Sequence, residues 1–194
     1  MRGTLLILLL LLCVTIPNIH AQSESLHPAL KNEIKVGVGI SSQDGHRETG
    51  LAFSTQIGYS RFLTNNGRLR LSGNFIFGNY KPFGTDLPEQ YFRSSALEIS
   101  LSADLFRIDR FAFIAEPGIF VNYSRGIIET REDGFTYVDT EYFREYYYGG
   151  SIMAGFRLLG KNGKMTYQFL PLGLLLGNNE FLGYQLSLEF GYRL

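Results

Sequence analysis

From residue 34 onward, apolar and polar side chains alternate with a period of two. Ile34, Val36, Val38 and Ile40 share one face, with Lys35, Gly37 and Gly39 on the other. Leu51, Phe53, Thr55, Ile57 and Tyr59 oppose Ala52, Ser54, Gln56, Gly58 and Ser60. Six further runs follow the same rule, centred on Leu69–Phe77, Leu97–Leu105, Phe111–Tyr123, Tyr146–Leu158, Met165–Phe169 and Leu182–Leu194. Strict alternation marks half-buried strands. Eight segments result, each near the 9–11 residues or so that a tilted strand needs to cross a bilayer.

Two architectures use such strands. In a soluble sandwich the apolar faces meet inside and the polar faces meet water; in a membrane barrel the apolar face looks outward into lipid. Glycines 37, 39, 58, 118, 149, 155, 183 and 191 all fall on the polar face. A solvated face gives no reason to collect glycine, whereas the inside of a small barrel is crowded. The pattern therefore predicts an all-β fold, an eight-stranded antiparallel up-and-down transmembrane barrel.

Turn chemistry adds detail. A two-residue turn at Asp133-Gly134 predicts Val121 opposite Tyr146, Ile119 opposite Tyr148 and Phe111 opposite Phe156. Asn162-Gly163 predicts Phe156 opposite Phe169 and Leu158 opposite Tyr167. At Asn66-Gly67 a two-residue turn would set Tyr59 against Asn74, whereas a three-residue loop, Asn65 to Gly67 with Gly67 left-handed, keeps outward faces together and sets Ile57 opposite Phe75. Tight turns near 64–67, 107–110 and 159–164 read as periplasmic. Longer stretches at 41–50, 81–96 and 124–145, with 177–181 shorter, read as extracellular. Pro117 and Pro171 fall inside strands, where each lacks a ladder donor, and bulges are the predicted accommodation. A bulge at Pro171 would also turn Leu172, Leu174 and Leu176 outward.

The N-terminus reads as a processing signal. Arg2 precedes the apolar run Leu5–Ile16, and Ala21 precedes a cleavage point at Gln22. That run is short of the roughly 20 residues of a spanning helix. Residues 1–21 are thus assigned to a signal peptide, 22–32 to a periplasmic lead-in and 33–194 to the barrel. Cys13, the only cysteine, lies in the signal behind Leu12, which does not suit lipidation. Arg2 is the only charge lost on cleavage, leaving 17 basic against 18 acidic side chains, so nothing points to nucleic acid.

The end Leu188-Glu189-Phe190-Gly191-Tyr192-Arg193-Leu194 resembles the C-terminal signal that the barrel-assembly machinery reads in outer-membrane proteins. Many members end in Phe, where this chain has Leu194. With its strand pattern, the mature chain resembles the small OmpA-like/OmpX-like outer-membrane barrels, and the Ala21-Gln22 junction resembles Bacteroidetes versions. The resemblance implies assembly by that machinery through Phe190, Gly191, Tyr192 and Leu194, and contact with outer-membrane lipid and lipopolysaccharide. It carries no reaction and no ligand.

Candidate chemistry lies in three places. Lys35, Arg70, Glu98, Asp104, Glu116, Arg157, Glu189 and Arg193 share the lumen parity, and ion pairing among them is the natural way to hold them there. The alternative is a proton or ion path, as in a narrow porin-like transporter of small or hydrophobic solutes. His46, in Gln43-Asp44-Gly45-His46-Arg47-Glu48, is the one mature histidine on the extracellular side, and some barrels of this class are lipid A-modifying enzymes. No serine partner for it can be fixed, and the reading is non-enzymatic, without cofactor or metal. Lastly, a fifth strand from Phe111 to Arg131 would measure roughly 70 Å, against an apolar band of about 25 Å. Its hairpin, turning at Asp133-Gly134, should project, and residues 126–142 are the candidate surface for a protein partner. Tyr146 and Tyr148 read as interface anchors and Tyr147 as lumen filling.

Overall fold

The alternating segments form strands because each buries every second side chain, a demand that only an extended chain meets. The computed structural model describes residues 31–46, 48–82, 91–131 and 138–194. The strands are β1 (Asn32–Asp44), β2 (Thr49–Phe62), β3 (Leu69–Pro82), β4 (Tyr91–Ile108), β5 (Phe111–Arg131), β6 (Val138–Leu159), β7 (Met165–Gly177) and β8 (Leu182–Arg193). They pair antiparallel in chain order and close through β1 and β8 into a barrel. The signal segment 1–21, lead-in residues 22–30 and the Asp133-Gly134 dipeptide lie outside the described residues.

Partners traced round the wall reveal the stagger. From Ile34 the path runs through Tyr59, Gly73, Ile99, Ile119, Gly150, Leu176 and Leu182, and meets β1 again at Asp44, ten residues further along. Such a stagger forces the strands to tilt and fixes the diameter. The apolar face looks outward: Phe53 is 83% exposed and Ile119 64%. An exterior band of this extent on every strand is unsuited to water.

The short turns lie at one end. Gly67 has φ +65° and its amide bonds Thr64 O at 3.0 Å. Ile57 faces Phe75, in the register that a left-handed Gly67 implies. The Asn162-Gly163 register is also as read, with Phe156 on Phe169 and Leu158 on Tyr167. Its turn is longer, however: Gly160 N bonds Met165 O at 2.8 Å, and Gly163 alone of the dipeptide has positive φ.

Three expectations are corrected. First, β5–β6 pairing sets Val121 against Tyr148, Ile119 against Gly150 and Phe111 against Leu158, two residues away from the register of a two-residue Asp133-Gly134 turn. An even displacement keeps each side chain on its face, so alternation cannot detect it. Second, strands extend into the stretches 41–50, 81–96 and 124–145; between β1 and β2 only residues 45–48 remain. Third, Pro117 carries no bulge. The β4–β5 ladder keeps its register from Ser100–Gly118 to Ala103–Ala115 but omits the rungs between, and the shift falls later, around Leu105. Leu159 N bonds Arg110 O, so even residues of β5 address β6 and odd ones address β4. Proline's missing donor therefore faces β4, and the β6 ladder runs past it unbroken. Pro171, in contrast, does sit at register shifts toward both β6 and β8, and Leu172 and Leu176 turn outward there.

Candidate functional site in the lumen and at the rim

All eight charged residues of the lumen parity are buried. Arg70 is their hub. Its guanidinium donates to Glu33 Oε1 at 3.3 Å, Ser102 Oγ at 2.9 Å, Glu116 Oε1 at 3.4 Å and Gln168 Oε1 at 2.8 Å. Gln168 in turn donates to Glu189 Oε2 at 2.9 Å, and Lys35 Nζ lies 3.0 Å from that same oxygen. Arg157 and Arg107 both bond Asp104. Arg193 approaches Glu33 at 3.6 Å and lies over the Phe62 ring, 4.4 Å from its centroid. Glu98 stands apart from these cations, accepting from Asn74 at 3.2 Å and Ser151 at 2.5 Å.

In the lower lumen Lys35, Arg70, Arg107, Arg157 and Arg193 share the space with Glu33, Glu98, Asp104, Glu116 and Glu189, five against five, while a further buried carboxylate, Glu48, lies at the long-loop end. A formally neutral set is what a low-dielectric interior tolerates. Two members were missed in the sequence. Glu33 shares the parity of Lys35 but sits before the first recognised strand residue. Arg107 has outward parity until the irregularity at Leu105 reverses it, sending Leu105 and Phe106 both outward and Arg107 back to Asp104.

Toward the long-loop end the lumen becomes aromatic. Tyr80 stacks on Phe92 at 4.7 Å and Phe92 meets Phe143 edge-on at 6.0 Å. Across the barrel, Tyr147 stacks on Phe181 at 4.5 Å and Phe120 touches Phe181 at 5.6 Å. A polar chain links Gln43, Ser94, Asn122 and Ser124 beside them. The cavity bordered by Ser41, Gln43, Tyr80, Ser94 and Phe181 measures about 20 Å³, room for about one water. Tyr147 is fully buried and donates to Glu48 Oε2 at 2.8 Å, tying the β1–β2 turn over this end.

No protein-family model matches the sequence, and no curated protein matches it. Solved structures do. Neisserial surface protein A is similar at TM-score 0.62 and 11% identity, over 84% of this chain and 97% of that one. Ail, the attachment invasion locus protein of Yersinia pestis, is similar at TM-score 0.55 and 13% identity, over 85% of this chain and 99% of that one. A second Ail structure, in complex with the heparin analogue sucrose octasulfate, is similar at TM-score 0.51 and 10% identity, over 85% and 100%. The fold is that of the small eight-stranded outer-membrane barrels.

On that barrel, β5 and β6 outrun their neighbours. Among the described residues β4 accompanies β5 to the Tyr91–Ile127 pair, and β7 accompanies β6 to Gly149–Gly177. Tyr148 N bonds Asn178 Oδ1 at 2.7 Å and its carbonyl accepts from Asn178 N at 3.1 Å. The even residues of β6 before it therefore turn their amides away from β5, along an edge that β7 does not cover. Tyr146 and Tyr148 point outward and Tyr147 inward. His46 is exposed on the β1–β2 turn; beside it Asp44 accepts from Thr49 at 2.6 Å and Glu48 from Tyr147. At the C-terminus Phe190, Tyr192 and Leu194 are outward, while Gly191 faces in against Thr166 and Glu33.

Proposed function

We propose that the chain is an integral barrel of a bacterial outer membrane, non-catalytic, whose role is structural and surface-interacting and is carried by the β5–β6 hairpin. The observation behind this is the β6 edge, with which no described strand pairs beyond β7. It begins where β7 ends and runs back to Val138, at the end of the barrel opposite the short turns. An edge without a described neighbour, on a hairpin that runs on past the adjacent strands, is a template for strand addition by a protein partner. Buried charged and aromatic side chains along the lumen, from Glu33 to Phe181, support this reading against a transport role. Attachment is also in the name of Ail, which shares the fold. Export would start with the 1–21 leader, and assembly would use outward Phe190 and Tyr192 on β8, which pairs with β1 at closure.

Tyr142→Pro tests this. Residue 142 has its amide on that edge, so proline removes an edge donor and leaves the β5 ladder intact. Cells displaying equal amounts of wild-type and variant chain should differ in attachment to their target surface, the variant matching a chain lacking 126–142. Equal attachment by all three would overturn the hairpin's role.

A further inference from the structure

Outward side chains at the long-loop end form rows across β4, β5 and β6. Leu97, Val121 and Tyr148 make one row, Ser95, Tyr123 and Tyr146 the next, and Arg93, Arg125 and Arg144 the row after that. All three arginines are exposed. By the ladder phase, Arg93–Arg125 is a hydrogen-bonded pair and Arg125–Arg144 a non-hydrogen-bonded one, with Cα separations of about 5.5 and 4.5 Å. Three guanidinium groups thus spring from within roughly 10 Å of backbone.

Like charges directly opposite destabilise a sheet. In the lumen each such cation lies against a carboxylate. Among the described residues, none of the three row arginines makes an ion pair. Arg144 instead lies 5.1 Å over the Tyr142 ring, and Tyr123 and Tyr146 pack at 4.7 Å just below the row. The compensation this row lacks within the fold can come from an anion outside it, held by charge-assisted and bidentate hydrogen bonds.

Height selects the kind of anion. The outward apolar side chains of β5 run unbroken by charge from Phe111 to Val121, with Ile127 alone beyond Arg125; the run is about 33 Å of strand and about 25 Å of vertical rise at the usual tilt. Arg125 comes four residues later, about 10 Å higher, which is headgroup level. Below the intervening Ser95–Tyr123–Tyr146 row stand Val121, Leu97, Ile119 and Ile99, an aliphatic surface suited to acyl chains.

We infer that Arg93, Arg125 and Arg144 bind the phosphate groups of a phosphorylated glycolipid of the outer leaflet, whose acyl chains lie on the aliphatic rows below. This rests on the outer-membrane reading above. A soluble sulfated saccharide offers the charge without the chains, and the surface under the row favours the lipid.

The test uses the full mature chain folded in zwitterionic micelles, with diphosphoryl lipid A and its phosphate-free counterpart as probes. Wild-type protein should bind the diphosphoryl form at least about ten-fold more tightly than the phosphate-free form, with an affinity that falls as salt rises. The triple variant R93Q/R125Q/R144Q should lose that preference, while R61Q, an outward arginine of β2 at the opposite end, should keep it. Folding of each variant is checked by the mobility shift on heating. Equal binding of the two lipids by wild type, which needs no variant, would overturn the site, as would a folded triple variant that keeps the preference. Binding of sucrose octasulfate as tight as that of lipid A would transfer the row to a soluble polyanion. Failure of the chain to insert into lipid vesicles would overturn the membrane reading itself, whereas insertion without phosphate preference would overturn only the arginine site.

Discussion

Arg157 on β6 and Asp104 on β4 form an ion pair across the lumen, although β5 separates their strands. Asp104 also holds Arg107, so one carboxylate serves two guanidinium groups, that of Arg157 buried and that of Arg107 partly exposed. Asp104→Asn removes the ion-pair partner of buried Arg157, while Arg107 keeps its bonds to the carbonyls of Asn66 and Gly67, and is expected to cost about 3–5 kcal/mol. Glu98 is bonded by neutral Ser151 and Asn74 instead, and Glu98→Gln should cost about 1–3 kcal/mol. Urea unfolding in micelles ranks the two. A Glu98 variant as damaging as the Asp104 variant would mean that local charge balance does not organise this core.

Lys35 and Glu189 meet at the seam. Lys35 pairs in register with Gly191, and its ammonium reaches back diagonally to Glu189, linking the first strand to the last. Lys35→Met strands a carboxylate that Gln168 alone then contacts, and should destabilise by about 3–5 kcal/mol. Adding Glu189→Gln should recover a large part of that loss, because an apolar–neutral pair carries no desolvated charge. The double-mutant cycle in urea measures the recovery, and strict additivity of the two losses would deny the pair its coupling.

Close approach of the wall to itself is local. At Gly149 an added Cβ would stand 1.9 Å from Leu176 O, a backbone atom that cannot swing aside. At Gly73 an added Cβ meets nothing within 4 Å. Gly149→Ala should therefore lower stability by about 1–3 kcal/mol, while Gly73→Ala should change it by less than about 0.5 kcal/mol or raise it. Unfolding midpoints of the two variants decide this, and equal effects would contradict the crowding at Gly149.

What the pattern could and could not reveal follows from period two. Alternation fixes which face a residue takes, and so the eight lumen charges were legible one by one. It leaves their partners open, because the ten-residue stagger brings together residues such as Arg70 and Gln168 that no local spacing relates. Register was legible at Gly67, where a two-residue turn would break the faces and a three-residue loop keeps them together, and at Asn162-Gly163. At β5–β6 a turn dipeptide pointed two residues away from the true register, and parity raised no objection. Arg107 was hidden for the opposite reason: the irregularity at Leu105 changes parity itself.

Pro117 shows a further limit, and it leads to a measurement. A proline in a sheet removes one donor, but which neighbour loses it depends on ladder phase, to which side-chain alternation is blind. Here odd residues of β5 address β4, and the rung that Pro117 would share with Leu101 is absent. The register on either side is unchanged, so the backbone already stands where a rung could form. Pro117→Val supplies the donor and a side chain suited to a strand, and should raise stability by about 0.5–1.5 kcal/mol. Pro171→Val should give no such gain, because both of its ladders are displaced there and no opposing group is in register. Unfolding midpoints of the two variants in the same micelles make the comparison. A gain at Pro171 and none at Pro117 would reverse the assignment of bulge and broken rung.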